Sequence, residues 1–363
     1  MSTVLLIGYY GNQNTGDDAF LAVSAWGASN IFGHTSFLAN TDRIYKTNEL
    51  TVKPINMNSK WPWLNSHNAK RKVGQASQVI FGGGSNFHTA KYIDEWCRWI
   101  DAIGIGPHCA VGISVGPFRE PAAENACARL FSRLAFVGTR DAISYERAIK
   151  LQTTAKVALT FDIAPLLMQA TGFTPNPQRE RKSIGVSLCN YERFVMGDIT
   201  QEMRRIEAVA SAINVVARCG DLREVVLIDF NGHPVLGDHD VHHTLANLLH
   251  KDISVRHVPY SPNPLHALEE ISSLHGIIAM RLHAGIFAYM TETPAYLLAY
   301  HEKCYEWSET VGWPSILIGD ADQVNVLKMI EGIHLMLSKN CPPPSCPFVI
   351  AQQRAMSNWI WKR

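Results

Sequence analysis

Short apolar runs recur along this chain, separated by stretches long enough for helices, and the series breaks once and then starts again. The first series comprises residues 4–10, 35–40, 79–84, 110–116, 135–141 and 157–165. Helix-length segments lie between several of them, at 17–30, 89–103, 121–133 and 142–150. Runs that stay apolar without alternating are the mark of strands buried on both faces, and their alternation with helices predicts parallel sheets covered on both sides. Residues 170–182 then carry two prolines, a glycine and a charge cluster, the composition of a linker. The second series follows at 183–188, 224–230, 253–260, 276–282 and 295–300, with helical stretches around 199–218, 239–249, 263–273 and 321–338.

The expectation is an α/β chain of two Rossmann-like, doubly wound domains, residues 1–170 and 183–345. A terminal helix within 346–363 would return to the first domain. Domains of this class facing each other would hold a ligand in a cleft between their strand ends.

Charge sets a condition on any anionic ligand. The 363 residues carry a formal net charge of +1, so an anion must be gripped by a few placed groups rather than by a global field. No basic excess points to nucleic acid. The eight cysteines form no CxxC pair and read as reduced thiols, mostly buried. No charged leader with an apolar core opens the sequence, and no stretch nears the ~20 apolar residues of a membrane span, so a cytoplasmic protein is expected.

Five motifs carry the candidate chemistry. The first, Gly8 to Asp18, follows a strand and opens a helix. Its Gly11–Gly16 spacing is that of a phosphate-binding P-loop, but Asp17 and Asp18 stand where Lys and Ser/Thr are needed, and two carboxylates would repel a nucleotide phosphate. Asn14 and the aspartates either face the hydroxyls of a sugar or cap the helix and favour its positive end. The second is Gly82-Gly83-Gly84-Ser85, whose backbone amides could bind an anion or simply turn the chain. A similar glycine turn, Gly112 to Pro117, is a weaker signal. The third is Arg140 beside Asp141, a cation that either grips a carboxylate bidentately or pairs with an acid nearby. The fourth is Asp162, an acid within an apolar run, which must bond backbone N–H groups or face a ligand.

The fifth is the sharpest: Arg281 and His283, between an apolar strand and a helix. In a strand register the two side chains would share one side. A guanidinium supplies a planar fork for phosphate or carboxylate, and an imidazole can move a proton near neutral pH. Lys303, after the next strand, could add a second cation.

Other clusters were weighed against these. His239 and His243 have the i, i+4 spacing of a zinc-binding helix, but Asp240 is shorter than the glutamate that motif uses as base. With His233, His242 and Asp238 they read as a solvated helix start, and no metal is expected. The HEKCY stretch at 301–305 lacks a second histidine. The aromatic–basic segments Trp61-Pro62-Trp63, Lys70-Arg71-Lys72 and Trp359 to Arg363 would either rest on the inner face of a membrane or pack as partly buried residues.

Taken in order, GYYGNQNTGDDA (8–19), FGGGSNF (81–87), GISVGP (112–117), TRDAIS (139–144), FDIAP (161–165), SIGVSL (183–188), MRLHAGIFA (280–288) and TPAYLLAYHEK (293–303) resemble the polysaccharide pyruvyl transferase family. The resemblance implies a GT-B-like fold, phosphoenolpyruvate as co-substrate without a further cofactor, and a sugar or lipid-linked oligosaccharide acceptor in exopolysaccharide or cell-surface glycan synthesis. It implies that Arg281 and His283 contact the donor. Lys303, Arg140, Gly83, Gly84 and Ser85 are then the further donor-binding candidates. His283 would act as general acid, Asp17 and Asp18 would act on the acceptor hydroxyls, and Tyr10, Asn14 and Asp162 would bind the acceptor. One departure stands out: family members often carry an arginine after the SIGVSL strand, where this chain has Cys189 and Asn190, with Arg193 further on. A nucleotide-sugar glycosyltransferase and a non-catalytic glycan-binding protein of the same fold are the rival readings.

Overall fold

A computed structural model describes residues 2–41, 43–47, 50–55, 69, 71–175, 180–195, 197–220 and 222–361. The chain divides into two compact units: Met1–Asn12, Asp17–Phe173 and Ala351–Arg363 form one, Gln13–Gly16 and Thr174–Ile350 the other.

The first unit is built on an eight-stranded sheet. Its strands are β1 (Thr3–Ile7), β2 (Ser36–Ala39), β3 (Tyr45–Thr47), β4 (Leu50–Pro54), β5 (Gln78–Gly84), β6 (Cys109–Ile113), β7 (Phe136–Thr139) and β8 (Lys156–Leu159). They run in the order β3-β4-β2-β1-β5-β6-β7-β8, parallel throughout except that β3 pairs antiparallel with β4. The helices are α1 (Thr15–Asn30), α2 (Ala90–Ile103), α3 (Pro121–Phe131), α4 (Ala142–Lys150) and α5 (Leu167–Thr171). Every residue of β5 and β6 is buried, which is why those segments read as unbroken apolar runs. Helix α2 buries Ile93, Trp96, Cys97 and Ile100, the spacing of one helical face. Trp96 there meets Phe81 and Phe87 edge-on or tilted, with Phe131 completing the aromatic core.

The second unit carries a six-stranded, all-parallel sheet in the order β11-β10-β9-β12-β13-β14. The strands are β9 (Glu180–Ser187), β10 (Glu224–Ile228), β11 (Ser254–Val258), β12 (Leu274–Ala279), β13 (Ala295–Ala299) and β14 (Ile318–Asp320). Its helices are α6 (Tyr191–Val195), α7 (Ile199–Arg218), α8 (His239–Leu248), α9 (Pro264–Ser273), α10 (Leu282–Met290), α11 (Glu302–Val311) and α12 (Val326–Leu337). Helix α10 is buried from Ala284 through Met290, so beyond His283 in its first turn it has no polar face turned to solvent.

The last helix, α13 (Phe348–Met356), starts in the second unit, and the chain then finishes in the first. The tail is anchored there. Asn358 is fully buried, accepts hydrogen bonds from the Gly112 amide and the Thr160 hydroxyl at 2.8 Å each, and donates to the Phe161 carbonyl at 3.0 Å. Trp359 is buried against Phe32, and Trp361 stacks on Phe136 at 5.2 Å. The tail tryptophans therefore take the packing alternative. Trp61, Trp63 and Lys70 lie outside the described residues. Among the described residues no helix is long and apolar enough to cross a membrane.

Three details differ from expectation. Strands β3, β4 and β14 are absent from the sequence reading: β3 and β14 are three-residue edge strands, and β4 is partly exposed and lies just inside β3. Strand β8 is a partly exposed edge strand ending at Leu159, so Asp162 lies beyond the sheet in a turn. And β12 ends at Ala279: Arg281 takes the N-cap position of α10 and His283 is the helix's second residue, so helix-start geometry rather than strand alternation places both.

Candidate active site

In the second unit the β12–α10 turn presents Arg281 with an extended backbone, φ −60° and ψ 125°. Its Nε donates to both oxygens of Asp238, at 3.0 and 3.2 Å, and Nη2 donates to Asp238 Oδ1. Asp238 is fully buried. Its Oδ2 also accepts the backbone N–H groups of Phe230 and Asn231, each at 2.9 Å. Burial disfavours the Arg281 cation, but the Asp238 carboxylate overcomes that and holds its pKa above the ordinary value. A pair this desolvated is costly to break from either side. Among the described residues, Nη1 of Arg281 makes no hydrogen bond, so one edge of the fork remains for a ligand.

The solvated helix start expected around Asp238 is thus corrected. Asp238 and His242 are buried, Asp238 bonding the Phe230 and Asn231 amides and His242 bonding Asp229, whereas His233, His239, Asp240 and His243 are exposed.

Around Arg281 the ends of β9 and β13 bring a polar and aromatic group. Tyr300 meets Tyr191 edge-on at 4.9 Å, and Lys303 Nζ lies 5.7 Å from the Tyr300 ring. Burial raises the Tyr300 pKa well above its ordinary value, with the neighbouring Arg281 pulling the other way. Cys189 is buried and pushed up to about 12 by burial, which outweighs the pull of Arg281. Beside it, Asn190 donates to the Gly237 carbonyl at 3.1 Å. Arg193, the arginine that follows β9, pairs with Glu202 at 2.8 Å and Asp240 at 3.6 Å.

His283 faces residues 13–16, which pack with this unit. A Cβ on Gly16 would stand 2.1 Å from His283 Nδ1, so only glycine admits the ring at that spot. Asn14 accepts the Gly16 N–H through Oδ1 at 3.0 Å, the capping role weighed for it, and its backbone bridges to Asn231. Thr15 N–H donates to the Phe230 carbonyl at 2.9 Å. The turn that Asp238 organises is therefore the one against which residues 13–16 are seated.

The first unit gathers a separate set. Arg140, just beyond β7, donates Nη1 to Asp162 Oδ2 and Nη2 to Ser85 Oγ, at 3.3 and 3.4 Å, with Asp141 at 3.8 Å. Asp162 is buried and also accepts the Ala164 N–H at 2.9 Å. Burial raises its pKa, partly offset by Arg140. Gly83 and Gly84 have φ of +69° and +78°, a left-handed pair that suits glycine. The Asp17 carboxylate lies 3.6 Å from where a Cβ of Gly84 would stand. Ser85 is exposed, whereas Asp18 is buried. Tyr10 is buried too, and its hydroxyl donates to the Gly82 carbonyl at 2.9 Å.

Of the residues picked from sequence, the second unit thus holds Arg281, His283, Lys303 and Asn14. The first brings together Arg140, Asp162, Ser85, Gly84 and Asp17. Asp238, Tyr191 and Tyr300 complete the Arg281 surroundings. Sequence spacing gave no sign of the Asp238 pairing, since the partners lie 43 positions apart.

Several solved structures share this architecture. UDP-GlcNAc 2-epimerase from Methanocaldococcus jannaschii matches over 99% of both chains, with TM-score 0.62 and 12% identity. Alr3699/HepE from Anabaena, solved with UDP and glucose, matches over 99% of this chain and 95% of its own, with TM-score 0.58 and 10% identity. A glycosyltransferase from Rickettsia africae matches over 99% and 94%, with TM-score 0.54 and 12% identity. At such identities the likeness is one of fold, and it establishes the GT-B-like class. No curated protein matches significantly in sequence. A family profile does: residues 14–302, from the capping asparagine through Arg140 and Asp162 to Arg281 and His283 and the start of α11, match the polysaccharide pyruvyl transferase profile. The chain belongs to the polysaccharide pyruvyl transferase family.

Proposed function

We propose that this protein transfers the enolpyruvyl unit of phosphoenolpyruvate to two hydroxyls of a sugar, closing a pyruvate ketal. The observation that carries the proposal is Arg281: a guanidinium fixed on one edge by buried Asp238, open on the other, at the start of the helix that also bears His283.

Phosphoenolpyruvate has a carboxylate and a phosphate, and Arg281 with Lys303 supplies cationic groups suited to one of them. His283 is the general acid. It protonates the methylene carbon as one sugar hydroxyl attacks the neighbouring carbon and gives its proton to a carboxylate, from which His283 regains the proton it donated. The carbon–oxygen bond to phosphate then breaks, leaving an oxocarbenium-like centre, and the second hydroxyl closes the ring as its proton goes to the departing phosphate. The two hydroxyl protons thus balance the new methyl hydrogen and the hydrogen phosphate. A placed general acid contributes typically ~10²–10⁴ in rate. Asp17 is assigned to the acceptor hydroxyls. Asp18 and Tyr10, both buried, support the loop from beneath.

Incubation with phosphoenolpyruvate and a panel of nitrophenyl and lipid-linked sugars tests this. Phosphate release together with a product heavier by one pyruvyl unit is expected, and both should be lost in His283→Ala. A parallel arm supplies nucleotide sugars, the ligand class of the structural neighbours. Nucleotide release there, without phosphate release from phosphoenolpyruvate, would replace this reading with glycosyl transfer.

A further inference from the structure

Beyond the Arg281 turn, the ends of β10 and β11 and the start of α8 hold a second cluster, which the reaction above leaves unused. Asp229, His239 and His257 each place one ligand atom within 4.8 Å of the others. We propose that these three side chains bind a divalent transition-metal ion of the zinc type.

The argument rests on how the carboxylate is held. Asp229 is almost fully buried, and its Oδ1 accepts from His242 Nδ1 at 2.6 Å. His242 Nε2 accepts the Leu188 N–H at 2.9 Å. That bond assigns the proton of a neutral His242 to Nδ1, so the ring is a donor to Asp229 and cannot itself be a ligand. A carboxylate oriented by a buried donor is the usual support behind a metal ligand.

The open side of Asp229 faces two imidazoles. His257 Nε2 lies 2.8 Å from Oδ1, and His239 Nδ1 lies 3.8 Å from Oδ2, too far for a hydrogen bond. Two ligands on one tetrahedral zinc, each ~2.0–2.2 Å from the ion, stand about 3.4 Å apart. The observed separations bracket that value, so small side-chain rotations suffice. The two rings lie with centroids 4.7 Å apart and tilted by 32°. Two imidazoles and one carboxylate suit zinc, cobalt(II) or nickel rather than magnesium or calcium. His239 is mostly exposed, which gives an ion its entry. His239 also directly follows Asp238, so an ion here would steady the first turn of α8 beside the Arg281 clamp. The proposal does not depend on the pyruvyl-transfer reading.

Titration of the full chain, stripped with chelator, with Co²⁺ tests it without reference to activity. Visible d–d bands saturating at one ion per chain are expected, along with a Zn²⁺-dependent rise in melting temperature. His257→Ala and His239→Ala should each weaken binding at least tenfold, whereas His243→Ala should leave it unchanged. His239 is exposed, so its replacement should not prevent folding. Absence of stoichiometric binding to the wild type would overturn the assignment, as would binding that survives both ligand substitutions.

Discussion

The His283 imidazole lies directly over the backbone of Gly16, where a Cβ would fall 2.1 Å from Nδ1 and 2.3 Å from Cγ. Gly16→Ala therefore forces the ring to move. Alanine favours the helix intrinsically, but overpacking of this kind costs typically ~1–3 kcal/mol. A general acid displaced by about 1 Å can lose ~10² in rate. The expected outcome is a kcat at least tenfold lower, with circular dichroism unchanged and a modestly lower Tm. A kcat equal to wild type in a folded variant would separate the Gly16 contact from catalysis.

Arg281 is bound to Asp238 before any ligand arrives, so its substitutions should show in stability as well as in binding. Asp238→Ala strands the guanidinium and leaves the Phe230 and Asn231 amides without their acceptor. Breaking a buried pair from one side costs about 3–5 kcal/mol. Arg281→Lys keeps the charge but loses the two-pronged contact, so a smaller loss of stability is expected together with a raised donor KM. Urea denaturation of both variants, with donor kinetics on the second, checks this. Equal and small stability losses would mean that the pair is not the anchor the geometry shows.

Much of this architecture is legible in the sequence, for a physical reason. Stretches of strand buried on both faces are mostly apolar, so β1, β5, β6, β10, β12, β13 and the second half of β9 announce themselves, and the helices between them follow from length. Edge strands escape because a half-exposed strand three residues long carries no such constraint, as β3 and β14 show. At the site, Arg281 and His283 stand out because polar groups at the end of an apolar run need a reason. Asp238 does not, since a helix-start aspartate looks the same in sequence whether it faces water or an arginine brought in by the fold. His257 is missed for a related reason: its partners come from another strand and another helix, and no spacing along the chain encodes that.

Asn358 ties the tail to the first unit through both ends of its amide. Asn358→Ala would leave the Gly112 N–H, the Phe161 carbonyl and part of the Thr160 hydroxyl's bonding unmet. Each buried polar group left without a partner costs ~1–3 kcal/mol. Local relaxation recovers some of that, and a net loss of about 2–4 kcal/mol is expected from denaturant unfolding. A loss below about 1 kcal/mol would indicate that water takes over the amide's role.

Cys189 stands close enough to Arg281 to feel its charge, and an arginine normally makes a thiol more acidic and more reactive. Here burial wins and pushes the thiol up to about 12. An acid raised this far stays protonated across the physiological range. Cys219, by contrast, is exposed. Native alkylation with iodoacetamide at pH 8, read by peptide mass spectrometry, should label Cys219 readily and leave Cys189 unmodified until the protein is unfolded. Labelling of Cys189 at a rate comparable to Cys219 would show that water reaches the Arg281 surroundings freely. In that case the desolvated grip on a small anion, on which the proposed donor recognition rests, would be lost.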